Sequence, residues 1–296
     1  MTCQRRRQFI LGAAAVGLLP KLAGSADQSR PSSGHTPSVA VCFGSGALHG
    51  YAHVGAIRAF QRLGLKPDVI TGTSVGAIAG VLWAAGHDAD TIEGIADDPS
   101  WHEASGLRIP VLGIGKLDGL RDLIDRHTGG RRIEALPTHF AAVATDLDSG
   151  QPVTLDRGPA GQAVAASSSV PIRYEPVTID GRRLIDGALS APVPVDAARA
   201  LGAEFTIAID VAFRPYEEPV SGITGVAFQM FHIMVNRLID EQIKRADFAI
   251  RLNVHQIMQG EGGIPALIQA GEEALHRRWP ALHAALSAAG IELAHR

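Results

Sequence analysis

Asp68-Val69-Ile70-Thr71-Gly72-Thr73-Ser74-Val75-Gly76-Ala77-Ile78 is the stretch on which the fold turns. Residues 68–70 read as a short strand that ends in Thr and Gly. Residues 75–85 are rich in Ala, Val and Leu and read as a helix. Between them, Gly72-Thr73-Ser74-Val75-Gly76 is a G-x-S-x-G pentapeptide at a strand-to-helix junction, the context its chemistry requires. Glycines two residues to either side of Ser74 remove Cβ atoms that would clash across a sharp turn. The hydroxyl is then presented at a helix N-terminus, where the helix dipole favours developing negative charge. An ordinary N-cap serine is the plain alternative, so the reading depends on what surrounds it.

Working outward, the same alternation repeats. Residues 38–43 read as a buried strand and residues 50–63 as a helix with Ala52, Ala56, Phe60 and Leu63 near one stripe. Residues 140–145 and 152–155 flank the hairpin signal Asp148-Ser149-Gly150. Residues 183–185 and 204–211 read as strands with a helix at 195–201 between them, and residues 248–252 as a late strand before a helix at 266–289. Such alternation predicts an α/β fold around a mostly parallel central sheet sandwiched by helices, with a helical C-terminal region. Ile223, Val226, Ala227, Met230, Met234 and Leu238 share a helical face, read as a packing face against the sheet.

Composition bounds the function. The 296 residues are 46% hydrophobic and 19% charged, enough to bury a core without disulfides and too apolar for disorder. With 27 basic and 30 acidic residues the net charge is −3, and no basic excess points to nucleic acid. Two cysteines exclude a disulfide scaffold and a cysteine-based zinc site, and Cys42 reads as buried and inert. Residues 1–26 stand apart: Arg5, Arg6 and Arg7, an apolar run over 9–19, and small residues at Gly24-Ser25-Ala26. That is the pattern of an export signal, and Arg6-Arg7-Gln8-Phe9-Ile10 is similar to a twin-arginine signal, so a periplasmic or exported protein is expected. Cleavage after Ala26 would remove four basic residues and no acid, leaving 23 against 30 and a charge of −7. Residues 27–37 read as a linker, and residues 38–296 as the globular domain.

Gly44-Ser45-Gly46-Ala47-Leu48-His49-Gly50 joins the first strand to the first helix. A dinucleotide loop would need an acid closing the next strand, whereas Asp68 opens it, and His49 stands at the third glycine position. An oxyanion hole, in which backbone N–H groups await charge on a carbonyl oxygen, is the better reading. Arg183-Leu184-Ile185-Asp186-Gly187-Ala188 supplies an acid at a strand end. His49 and His53 are four apart but lack a third ligand, so they read as helix-start and helix-surface residues, not a metal pair. Asp146 and Asp148 read as hairpin-turn residues, and 109–114 as a core segment.

Taken together these motifs resemble the compact bacterial patatin-like phospholipases. The glycine loop, the elbow, Ala144-Thr145-Asp146-Leu147-Asp148-Ser149-Gly150, Ala166-Ser167-Ser168-Ser169-Val170-Pro171 and Asp186-Gly187-Ala188 fall in that family's order over about residues 38–211, with 212–296 as a helical extension. The resemblance implies a lipid acyl hydrolase with a Ser–Asp dyad: Ser74 as nucleophile and Asp186 as base. It implies an oxyanion hole from backbone N–H groups of Ser45, Gly46 and Ala47, with Gly44, Gly50, Gly72, Gly76 and Gly187 as motif glycines, and no cofactor or metal. It also implies a lipid or other ester substrate and a transient contact with a membrane surface, and leaves the ester class and oligomeric state open. The chain departs from the family at His49, where Arg or Lys is usual, at Ala47, where Gly is common, and at Ile172, which replaces a frequent Gly. Two other functions fit the same residues. One is an α/β-hydrolase-type triad completed by His232 or His255. The other is a non-catalytic lipid-binding protein.

Overall fold

Hydrophobic residues spaced two apart in the strands and three to four apart in the helices sort this chain into layers. The computed structural model describes residues 38–98, 115–212, 220–252, 257 and 263–293. The expected export signal, linker, segment 109–114 and His255 lie outside the described residues. The strands are β1 (Val39–Phe43), β2 (Val69–Thr73), β3 (His139–Asp146), β4 (Pro152–Leu155), β5 (Val177–Ile179), β6 (Arg182–Asp186), β7 (Phe205–Asp210) and β8 (Phe248–Arg251). The helices are α1 (Tyr51–Arg62), α2 (Val75–Ala84), α3 (Ala89–Asp97), α4 (Asp118–His127), α5 (Ala160–Ser167), α6 (Val195–Ala200), α7 (Gly222–Gln242) and α8 (Gly263–Ala288).

All eight strands form one sheet, paired in the order β5-β6-β3-β2-β1-β7-β8 with β4 also on β3. β3, β2, β1, β7 and β8 run parallel, and β4, β5 and β6 are antiparallel additions, so the expected mostly parallel α/β sheet is what forms. Large side chains face one way: Val39, Val41 and Phe43 of β1 and Phe205, Ile207 and Ile209 of β7 join the core beneath α1, α2, α5 and α8. Their neighbours Ala40, Cys42 and Ala208 face the other way, toward α6 and the C-terminal half of α7. The small residues let that second layer sit close to the sheet.

Several elements differ from expectation: α3, α4 and α5 form where the sequence reading places no helix, β2 is longer and β5 is additional. β2 runs on through Thr71, Gly72 and Thr73 because both threonines are satisfied inside: Thr71 Oγ1 donates to Pro194 O at 3.0 Å and Thr73 Oγ1 to Ala191 O at 2.7 Å. β5 was not expected. Its signal is Asp180-Gly181, both with positive φ (50° and 77°), the two-residue hairpin turn between β-branched Val177-Thr178-Ile179 and β6.

The sheet register decides where the site lies. β2 pairs with β3 up to Thr73↔Val143, and β6 pairs with β3 from Ala144↔Asp186 onward. β4 pairs over residues 142–145 of β3, so it occupies the opposite edge. β2 and β6 therefore share one edge of β3, run toward each other, and meet end to end between Val143 and Ala144.

Candidate active site

Ser74 and Asp186 are the residues at that meeting point. Ser74 caps α2 with φ 56° and ψ −124°, a strained conformation for a residue with a Cβ. The strain is held by tight packing. A Cβ on Gly72 would collide with the Gly76 and Ala77 backbone, and one on Gly76 with the carbonyls of Phe43 and Gly44. The Ser74 N–H donates to Ser167 Oγ at 2.9 Å, and that hydroxyl donates onward to Val143 O at 2.6 Å. Ser167 thus ties the elbow to the point on β3 where β2 stops.

Ser74 Oγ donates to Asp186 Oδ2 at 2.7 Å, and Asp186 Oδ1 accepts the Ala188 N–H at 2.8 Å. The Asp186 backbone is also fixed: its N–H donates to Ser169 O at 2.9 Å, and its carbonyl accepts from Thr145 Oγ1 at 2.9 Å. A Cβ on Gly187 would run into the Val143 carbonyl, so the chain leaves β6 hard against β3. Asp186 is 1% exposed, and burial pushes its carboxyl up to about 6, against the lowering pull of the Ala188 N–H and the Ser74 hydroxyl.

The glycine loop closes the other side. The Ser45 N–H, expected among the oxyanion donors, is already bonded: it donates to Pro192 O at 2.8 Å. Neither the Gly46 nor the Ala47 N–H is taken by another described residue. Ala47 has φ 48°, so its Cβ carries strain at a position suited to glycine. His53 corrects the surface reading: it is fully buried on α1, and its Nε2 donates to Gly44 O at 2.8 Å. A carbonyl only accepts, so the proton sits on Nε2. Burial pushes this imidazole down to about 4 and keeps it neutral. His49 is also buried, not exposed, and it lines the cleft.

That cleft, about 270 Å³, is walled by the glycine loop, Ser74, Asp186 and the α7 residues Phe231, His232, Val235 and Asn236. Asp146 and Asp148 lie away from it as hairpin residues. Asp146 Oδ1 accepts the N–H groups of Asp148 and Ser149, both at 3.0 Å, while Arg182 and Arg183 pair with the two carboxylates. Cys42 is free and buried, its thiol pushed up to about 12 by burial.

The family model described as patatin-like phospholipase matches residues 41–199, more than half of the chain and every element that meets at Ser74. The chain belongs to the patatin-like phospholipase family. Relatives within reach include an uncharacterized NTE family protein of Mycobacterium tuberculosis, 37% identical over 186 residues, covering 60% of this chain and 49% of that protein. Lysophospholipase nte1 of Aspergillus fumigatus is 29% identical over 180 residues, covering 59% of this chain and 12% of that protein. Patatin-like phospholipase domain-containing protein 7 of Rattus norvegicus is 31% identical over 187 residues, covering 60% and 14%. The patatin-like chain thus spans about half the length of its mycobacterial relative and a smaller share of the other two. Among solved structures, VipD from Legionella pneumophila aligns with a TM-score of 0.49 at 13% identity, covering 83% of this chain and 67% of that one.

Ser74, Asp186, Gly46 and Ala47, to which the sequence points, all line the cleft. Ser167 as the latch of the elbow and Thr145 as the clamp on Asp186 emerge only from the structure, although both stand in the quoted motifs.

Proposed function

We propose that this chain is a serine hydrolase of lipid carboxylic esters, of the phospholipase A, lysophospholipase or carboxylesterase type. The observation that carries the reading is the direct 2.7 Å hydrogen bond from Ser74 Oγ to the buried Asp186. Ser74 attacks the ester carbonyl as Asp186 takes its proton. The Gly46 and Ala47 N–H groups stabilise the oxyanion, aided by the N-terminus of α2. Asp186 then returns the proton to the leaving alcohol, and water activated by the same carboxylate hydrolyses the acyl-enzyme. Burial that raises the Asp186 value makes it a better base for a serine than an exposed carboxylate. The family membership and the lysophospholipase among the relatives support a lipid ester as substrate.

A triad is the second reading, because His232 lines the same cleft. A triad needs the imidazole between serine and acid, and here the two bond directly, which favours the dyad. Fluorophosphonate labelling tests both. Wild type labels, Ser74→Ala does not, and His232→Ala labels and turns over nearly as wild type. Failure of the folded wild type to label overturns the hydrolase reading and leaves the lipid-binding one. A loss of about 10³ or more in His232→Ala overturns the dyad. Export through residues 1–26 belongs to the same proposal. It predicts a periplasmic product beginning at Asp27, checked by fractionation and N-terminal sequencing; a full-length cytoplasmic product rejects it.

A further inference from the structure

α7 was expected to pack its apolar stripe on the sheet, and it does the opposite. Its C-terminal half turns Val235 and Ile239 into the core, and Phe231, His232 and Asn236 toward the cleft. The stripe Ile223, Val226, Met230 and Met234, spaced three and four apart, faces away with exposures of 92%, 48%, 58% and 56%. None of the side chains described between 220 and 234 is buried. The same helix carries no Asp, Glu, Lys or Arg before Arg237. Four large apolar side chains left in water over three turns, with no charge among them, mark an interaction surface.

The occupant follows from three features. First, stripe and cleft wall are adjoining faces of the same turns: Met230 beside Phe231, Met234 beside Val235. Whatever covers the stripe therefore reaches the edge of the Ser74 cleft. Second, the Arg173 guanidinium lies 5.8 Å from the centre of the Phe228 ring, which ties the loop bearing Ile172, itself 64% exposed, to the same helix. Third, apart from Arg173 on the Phe228 ring, the described part of α7 before Arg237 carries no cation to recruit anionic headgroups, and the whole chain is at −3. Such a face suits a neutral surface into which apolar side chains insert, and flexible methionines adapt to irregular acyl packing. Among the described residues no helix is long and apolar enough to cross a membrane, so α7 would lie on the surface, not through it.

We propose that the α7 stripe of Ile223, Val226, Met230 and Met234 seats the protein on a zwitterionic lipid surface at the edge of the Ser74 cleft. The proposal rests on the lipid-ester reading above, and its test separates the two. Wild type and Ile223→Glu/Met230→Glu are compared by co-sedimentation with phosphatidylcholine vesicles, by hydrolysis of vesicle lipid, and by hydrolysis of a monomeric water-soluble butyrate ester. The pair of substitutions should weaken vesicle binding and vesicle hydrolysis by about tenfold or more and leave the soluble ester rate unchanged. Wild-type binding should be indifferent to added phosphatidylglycerol and to salt. Equal vesicle binding by both proteins, no binding by wild type, or binding that needs phosphatidylglycerol and fails in salt would overturn the proposal. So would a wild-type dimer that the variant dissociates, since a second copy would then cover the stripe. Vesicle binding by wild type that the variant loses, without soluble ester turnover in either, would uphold the docking face and sink the hydrolase reading. If the Glu pair lowers thermal stability, Ile223→Ser/Met230→Ser provides the same comparison.

Discussion

Asp186 is pulled in two directions by one environment. The pocket that would make it the base of the proposed reaction also makes its charged form unfavourable. Its folded value of about 6 lies above the ordinary aspartate value of 3.8. In that window the native state holds a proton that the unfolded chain has lost, so stability falls as pH rises from about 4 to about 6 and stays reduced above it. Asp186→Asn removes the charge and can still accept the Ala188 N–H. It should stabilise the protein at pH 8 by on the order of 3 kcal/mol and leave stability at pH 4 nearly unchanged. Turnover should fall by about 10³ or more, since no base remains. Wild-type kcat/KM should rise with pH through about 6 and level off above it. Urea unfolding at the two pH values and a pH–rate profile check all three. At this scale the sequence exposed Ser74 and Asp186 through short local motifs. It did not show that the Ser45 N–H is already bonded to Pro192, because that acceptor lies 147 positions along the chain.

At the level of elements, the site is a junction of strand ends. β2 and β6 arrive along one edge of β3 from opposite directions, and Ser167 at the end of α5 bridges the gap. Replacing it by Ala would leave both the Ser74 N–H and the Val143 carbonyl without the partner they have now. Ser167→Ala is expected to cost about 1–3 kcal/mol of stability. Because the elbow would shift relative to Asp186, turnover should drop by about tenfold to a hundredfold. Chemical denaturation and steady-state kinetics measure the two effects, and a normal rate in a destabilised protein would show Ser167 to be structural alone. Strand and helix alternation is readable for most of the chain, since periodicity is a property of ten-residue windows, but the short α3, α4 and α5, of eight to ten residues, go unread. Membership of the antiparallel edge was not. β5 has only three residues, too few to establish a period, and only the Asp180-Gly181 turn betrays it.

For the whole molecule, the layers divide labour. α8 packs on the far side of the core, with Leu275 fully buried, and contributes no residue to the cleft. Leu275→Ala should therefore cost about 2–4 kcal/mol and lower the thermal midpoint. The initial rate well below that midpoint should be unchanged, as a melting curve and an assay on the same sample would show. A matching loss of rate would mean that the α8 layer transmits its packing to the elbow.

By itself the sequence determined the α/β class, the elbow, the acid at a strand end and the loop of backbone donors. Each is encoded by neighbours in the chain: glycines where a Cβ would collide, β-branched runs, small residues at turns. Only the tertiary structure decided which of them meet. Ser74 and Asp186 are 112 residues apart and come together because two strands end at the same point on β3. The α7 stripe makes the same point in reverse. Periodicity established that the helix has an apolar face. Whether that face is covered depends on what the rest of the chain brings against it, and among the described residues it stays in contact with solvent.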